Sequence, residues 1–177
     1  MAIQIGAKPD SGFNDPLGML QDCHRRIERF LQILCAVATQ ASGRSLSQEE
    51  SVAVTAALHY FQEAGSRHNA DEEESLFPRL RAAQPVDAQE NLTHLEDDHR
   101  ATEQLHHEVE MLFRRWINAS TLSTDDENTL LSATAELGRI YTAHIEMEES
   151  TVFPLAAQVL TQAAIAAIGS EFKARRK

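Results

Sequence analysis

The chain has 177 residues, and 16 Lys and Arg against 27 Asp and Glu give a net charge of −11 with the eight histidines counted as neutral. That length suits one domain with a sizeable core, and the acid excess argues against a nucleic-acid partner, whose phosphates are bound by cationic surfaces. Only seven Gly and five Pro occur, and alternating β-branched or aromatic runs are scarce, so a sheet-rich fold is excluded and long helices are the default.

Residues 1–14 contain no basic stretch leading into an apolar one, so no secretory signal is expected. They read as a flexible segment ahead of a domain spanning 15–177. Asn14 or Asp15 before Pro16 reads as the cap and first residue of a helix whose face carries Leu17, Leu20, His24, Ile27, Leu31, Leu34 and Ala38, ending near Gly43. Cys23 and Cys35 lie twelve positions apart on that helix, too far apart to bridge. They are expected to be free thiols in a reducing, cytoplasmic setting.

Three further starts pair a capping residue with Glu three positions on: Ser47 with Glu50, Asp87 with Glu90 and Thr124 with Glu127. The second helix carries Val54, Leu58, Phe61, Gly65, His68, Glu72 and Leu76 at helical spacing until Pro78 kinks or ends it. The third carries Leu92, Leu95, His99, Thr102, Glu103, His106, Phe113 and Trp116 or Ile117. The fourth carries Leu130, Thr134, Leu137, Tyr141, His144, Glu148, Val152 and Leu155, with Pro154 in the place of Pro78. Ser150 to Ser170 is uncharged, but Pro154, Gln158, Gln162 and many alanines make it a poor membrane span. A short fifth helix, about 161–175, ends in basic residues suited to a helix C-terminus. The expected fold is all-α, an antiparallel up-down-up-down four-helix bundle with a short C-terminal helix.

An internal repeat supports that topology. The run from His68 to Pro78 matches the run from His144 to Pro154 at a shift of 76, and Leu20-x-Asp22-x-His24-Arg25-x-x-Glu28 matches Leu95-x-Asp97-x-His99-Arg100-x-x-Glu103 at a shift of 75. Two helical hairpins therefore repeat, and their His-xxx-Glu turns should face each other about a pseudo-two-fold axis.

Polar residues interrupt the apolar stripes in one pattern. His24, His68, His99 and His144 occupy core positions, one per helix, and Glu72 and Glu148 follow two of them at i+4, on the same helix face. Burying these groups unpaired would cost several kcal/mol each, and a pair of cations answers the cost. Four neutral imidazoles and two bridging carboxylates, with an oxo or hydroxo ligand between the ions, leave little net charge. Nitrogen and oxygen donors without a thiolate cluster favour iron, then manganese, over structural zinc.

These residues, with a Phe-Pro pair following each His-xxx-Glu and its Pro ten residues past the His, resemble the hemerythrin-like HHE cation-binding proteins over roughly residues 15–175. The resemblance implies a non-haem di-iron centre with Glu72 and Glu148 bridging and His24, His68, His99 and His144 as terminal ligands. Oxygen-carrying hemerythrins have a fifth His four residues after the His of the third helix, where this chain has Glu103. The resemblance therefore points away from reversible oxygen carriage and toward dioxygen, nitric oxide or peroxide as a small ligand in oxygen or redox response. The alternatives are a peroxidase- or catalase-like or iron-centre-repair enzyme and an iron sensor read by a partner protein.

Several residues remain open. Glu103 and Glu28 are read as partners of a histidine N–H, with pairing to Arg100 or Arg25 as the alternative, and Glu103 is also a candidate additional ligand that would fill the place where dioxygen binds. His106 and Tyr141 are candidates for proton or electron relay beside the ordinary reading of satisfied core groups. The acidic runs Asp71 to Glu74 and Glu146 to Glu149 are read as part ligand, part solvated face.

Overall fold

The computed structural model describes residues 10–83 and 87–177. Helix α1, Pro16–Gln40, opens on Asp15, whose carboxylate accepts from the Gly18 N–H at 3.1 Å, and ends in a turn where Gly43 takes a positive φ of 75°. Helix α2, residues 48–83, opens on a reciprocal Ser47–Glu50 capping box. Helix α3 is Asp87–Ala119, and the Asp87 side chain expected to cap it lies outside the described residues. Helix α4 covers residues 124–159, and α5 is Gln162–Ala174, capped by Thr161.

The fourth start differs from the expected Thr124–Glu127 box. Ser123 is the cap, accepting from the Asp126 N–H at 3.1 Å. Glu127 instead accepts from the Ser42 hydroxyl at 2.7 Å and the Gly43 N–H at 2.8 Å, tying the start of α4 to the turn after α1.

The helices do not stop at their prolines. In α2 the residues Glu72–Leu76 form a π turn, as do Glu148–Val152 in α4. The Phe77 N–H donates to the Glu72 carbonyl and the Phe153 N–H to the Glu148 carbonyl, five residues back. The widened turn makes room for Pro78 and Pro154, which have no N–H and would clash with the carbonyl four residues back in a regular helix. Each chain segment therefore continues helical to Ala83 and Val159.

Helix α1 packs against α2 and α4, and α3 packs against α4, in an antiparallel bundle. Two apolar clusters fill it. One, containing Ile27, Leu34, Leu58, Phe61, Phe113, Trp116 and Leu137, occupies one end. The other, containing Leu20, Leu76, Phe77, Leu95 and Phe153, is closed by Ile168 and Phe172 of α5. The histidines lie along the helices between the clusters, as His24 does between Leu20 and Ile27.

Of the N-terminal segment expected to be flexible, residues 1–9 lie outside the described residues, while residues 10–14 are fastened down. The Ser11 N–H donates to Asp22 at 2.6 Å, and the Phe13 carbonyl passes so close to Gly169 that a Cβ there would stand 1.9 Å from it. Among the described residues no helix is long and apolar enough to cross a membrane.

Candidate metal centre

Helical periodicity puts one histidine per helix on the inner face, and the structure brings His24, His68, His99 and His144 together around Glu72 and Glu148. All six are buried, and both glutamates are 0% exposed. Their donor atoms form two quartets, His24, His68, Glu72 and Glu148, and Glu72, His99, His144 and Glu148, with the atoms of each lying within 4.8 Å of one another.

Both carboxylates belong to both quartets. Glu148 Oε2 lies 3.0 Å from His24 Nε2 and 3.4 Å from His144 Nε2. Glu72 Oε1 lies 3.4 Å from His68 Nε2, and its Oε2 lies 3.4 Å from His99 Nε2. Among the described residues all four oxygens nevertheless lack a hydrogen-bond partner, as does His24 Nε2. His99 Nε2 and His144 Nε2 lie 3.2 Å apart, and carboxylate oxygens left without hydrogen bonds among such imidazoles are arranged as the ligands of a cation are.

The electrostatics express the same crowding. Burial raises the Glu72 carboxyl above its ordinary value, and the charge of Glu148 raises it further. Burial pushes Glu148 the same way, but His144 and His24 outweigh it and hold that carboxyl well below the ordinary range. Burial also opposes protonation of His144 and His99, yet Glu148 and Asp98 lift the first to about 10, and Glu72 and Glu73 lift the second to about 9. Against burial, Glu148 raises His24 as well. His68 goes the other way, held at about 4 mainly by burial. Protonated imidazoles thus supply positive charge next to the acids, and a metal ion binding there would displace those protons.

The outward ring nitrogens find acids that sequence reasoning missed. His24 Nδ1 faces Glu149 Oε1 at 2.8 Å, His99 Nδ1 faces Glu73 Oε1 at 2.7 Å, and His144 Nδ1 faces Asp98 Oδ2 at 3.3 Å. Such carboxylates orient a ligating imidazole and raise its basicity. The available signal was the doubled acid, Glu72-Glu73 and Glu148-Glu149, repeated in both hairpins.

Glu28 and Glu103 do not take that role. Glu28 turns outward to Arg25 at 3.2 Å, the pairing held as the alternative. Glu103 is exposed and borders a cavity of about 550 Å³, outside both quartets.

That cavity is also lined by Phe61, Gly65, Thr102, His106 and Tyr141. Gly65 lies in a further π turn, Phe61–Gly65. His106 Nε2 and the Tyr141 hydroxyl lie 3.0 Å apart, and His106 stands against the Phe61 ring. Burial lowers the His106 ring to about 4 and raises the Tyr141 phenol.

The acidic run after His68 is divided residue by residue. Asp71, wholly buried, takes Arg175 at 2.8 Å and Arg176 at 2.6 Å, so the basic tail clamps α5 onto α2 in addition to ending a helix. Glu72 faces the centre, Glu73 faces His99, and the exposed Glu74 meets Arg175 at 3.1 Å.

Fold and site define a helical-bundle protein whose buried His and Glu side chains could hold a metal cation. Residues 15–156 match the family described as Hemerythrin HHE cation binding domain, and the chain belongs to it. It is also 27% identical over 173 residues to an uncharacterised protein of Haemophilus influenzae, the match covering 93% of this chain and 92% of that one.

Proposed function

We propose that the protein is a non-haem di-iron protein, with residues 15–177 as its working domain, that binds dioxygen, nitric oxide or peroxide in oxygen or redox response. The observation that carries this reading is the sharing of Glu72 and Glu148 by both quartets of buried donors. Two histidines and two shared carboxylates per ion supply four donors, fewer than the six that iron accepts in octahedral surroundings, and the all nitrogen and oxygen set suits iron. Iron bound there would supply a redox-active position open to a small ligand.

The chain's own residues shape what reaches that position. The cavity behind Gly65, Thr102 and Tyr141 stands one helical turn from His68, His99 and His144 and has the scale for small molecules. The Phe77 ring stacks on His99 and the Phe153 ring on His24, excluding water from the opposite side. Free Cys23 and Cys35 support a reducing, cytoplasmic setting.

Metal analysis of protein produced with iron tests the reading. About two iron ions per chain are expected, lost together in Glu72→Ala and in Glu148→Ala. A single ion, or a stable metal-free core, would overturn it.

A second reading, a peroxide-handling or iron-repair enzyme, draws on the His106–Tyr141 pair beside the cavity. Here Tyr141 would give an electron toward peroxide, the oxidant consumed, and pass its phenolic proton to His106 in the same step, with an external reductant restoring the phenol. Multiple-turnover peroxide consumption that falls in Tyr141→Phe while the iron content holds would establish it. Stoichiometric binding without turnover would establish the first reading.

A further inference from the structure

The two hairpins repeat, so each contact at one cation position has a counterpart at the other, and one pair of counterparts does not match. His24 and His99 stand 75 apart in the chain, and each turns Nδ1 to the acid following the bridging glutamate of the other hairpin, Glu149 and Glu73. His68 and His144 stand 76 apart. His144 Nδ1 faces Asp98, whereas His68 Nδ1, on a side chain only 3% exposed, has no hydrogen-bond partner among the described residues.

The repeat shows why. The counterpart of Asp98, 75 positions earlier, is Cys23. Its thiol lies 3.1 Å from the Tyr60 hydroxyl, so a sulfur group engaged elsewhere stands where the second hairpin has a carboxylate. An imidazole that ligates through one nitrogen gains basicity and a fixed orientation when the other nitrogen donates to a carboxylate, and losing that partner costs about 10–100-fold in metal affinity.

We infer that the two cation positions are unequal: the one held by His99 and His144 fills first and holds its ion more tightly, and the Cys23/Asp98 difference sets the order. The inference rests on the paired-cation reading above. Three of the four histidines are locked by carboxylates and one is not, so the ion held by His24 and His68 is the exchangeable one. A small ligand or a metal-accepting partner meets its least resistance there.

Stepwise anaerobic addition of cobalt(II) to the metal-free full-length chain, followed by calorimetry and visible absorption, tests this. Two steps separated by about 10–100-fold in affinity are expected. Anomalous diffraction from crystals holding one equivalent should place the ion between His99 and His144. Cys23→Asp should strengthen the weaker step and bring the two within about threefold, and Asp98→Asn should weaken the tighter step by about 10–100-fold. Asp98→Asn is the safer variant to fold, because the Asp98 side chain is 17% exposed and loses only its charge. Equal steps in the unmodified protein, a first ion between His24 and His68, or an unchanged tight step in folded Asp98→Asn would overturn the inference. One equivalent bound at His99 and His144 alone would overturn the paired reading and leave the order of the two positions standing. No binding would overturn both.

Discussion

Asp71 and Glu72 are adjacent in sequence and both wholly buried, yet they meet opposite surroundings. Asp71 lies in the clamp between α2 and α5, answered by two guanidinium groups. Glu72 lies in the histidine layer, where neither carboxylate oxygen has a hydrogen-bond partner among the described residues. An acid answered within the chain holds the fold together. One whose oxygens are left open among imidazoles is arranged for something from outside. Burial alone does not separate the two cases, and the identity of the facing group does.

Removing the metal tests that difference hardest. A ligand present at about 1,000 times its dissociation constant contributes about 4 kcal/mol, and in a domain of this length that is about 10–15 °C in melting temperature. Chelation should therefore lower the thermal midpoint by at least that much, read by circular dichroism. Glu72→Ala and Glu148→Ala should abolish the chelator's effect, and Glu28→Ala should preserve it. Equal behaviour of all three would erase the distinction between the histidine layer and the rest.

A half-buried polar group, His106, meets the Tyr141 hydroxyl and, among the described residues, neither an acid nor a guanidinium. Its ring is held near a pKa of about 4 in the folded chain by burial, against about 6.5 when unfolded. Below 6.5 the unfolded chain takes up a proton that the folded chain refuses, so stability falls as pH drops from about 6.5 to about 4 and this contribution then levels off. The loss is on the order of 3 kcal/mol. Denaturant melts at stepped pH should show a shallower decline in His106→Gln, whose amide can still meet Tyr141. An identical decline would mean that the His106 ring takes up its proton equally in the folded and unfolded chains.

The clamp itself predicts a smaller effect. Asp71→Ala should cost about 1–3 kcal/mol, below the usual cost of breaking a buried ion pair, because the freed arginines can turn to water. Their side chains are already 19% and 31% exposed. Iron content should stay unchanged, as measured on the purified variant. Loss of iron would merge the clamp with the centre. Smallest of all, Glu103→Ala should leave both iron content and thermal midpoint within error, since Glu103 is exposed and outside both quartets. A drop in iron would place Glu103 among the ligands.

Much of the architecture was legible because it is written in local chemistry. Ser47 with Glu50 caps a helix whatever lies beyond it, and the 3.6-residue period places His24, Ile27, Leu31 and Leu34 on one face of α1. Of the two outcomes open at Pro78, a kink or an end, the sequence cannot choose, because the helix continues only if the preceding turn can widen, and that turn also carries Glu72. The start of α4 was misplaced by one residue, because Ser123 and Thr124 are both competent caps and Glu127 was drawn to the turn after α1.

The sequence alone determined the helical class, the doubled hairpin and the six side chains that gather between the apolar clusters, because periodicity and repetition are properties of the chain by itself. Tertiary structure alone decided the division of labour within the acidic runs. Successive residues on a helix point about 100° apart, so Asp71, Glu72 and Glu73 reach toward α5, the histidine layer and α3 respectively. Which of them meets an arginine, an open centre or a histidine is set by the neighbouring helices. For the same reason the unmatched Nδ1 of His68 becomes visible only once Cys23 is seen to engage Tyr60.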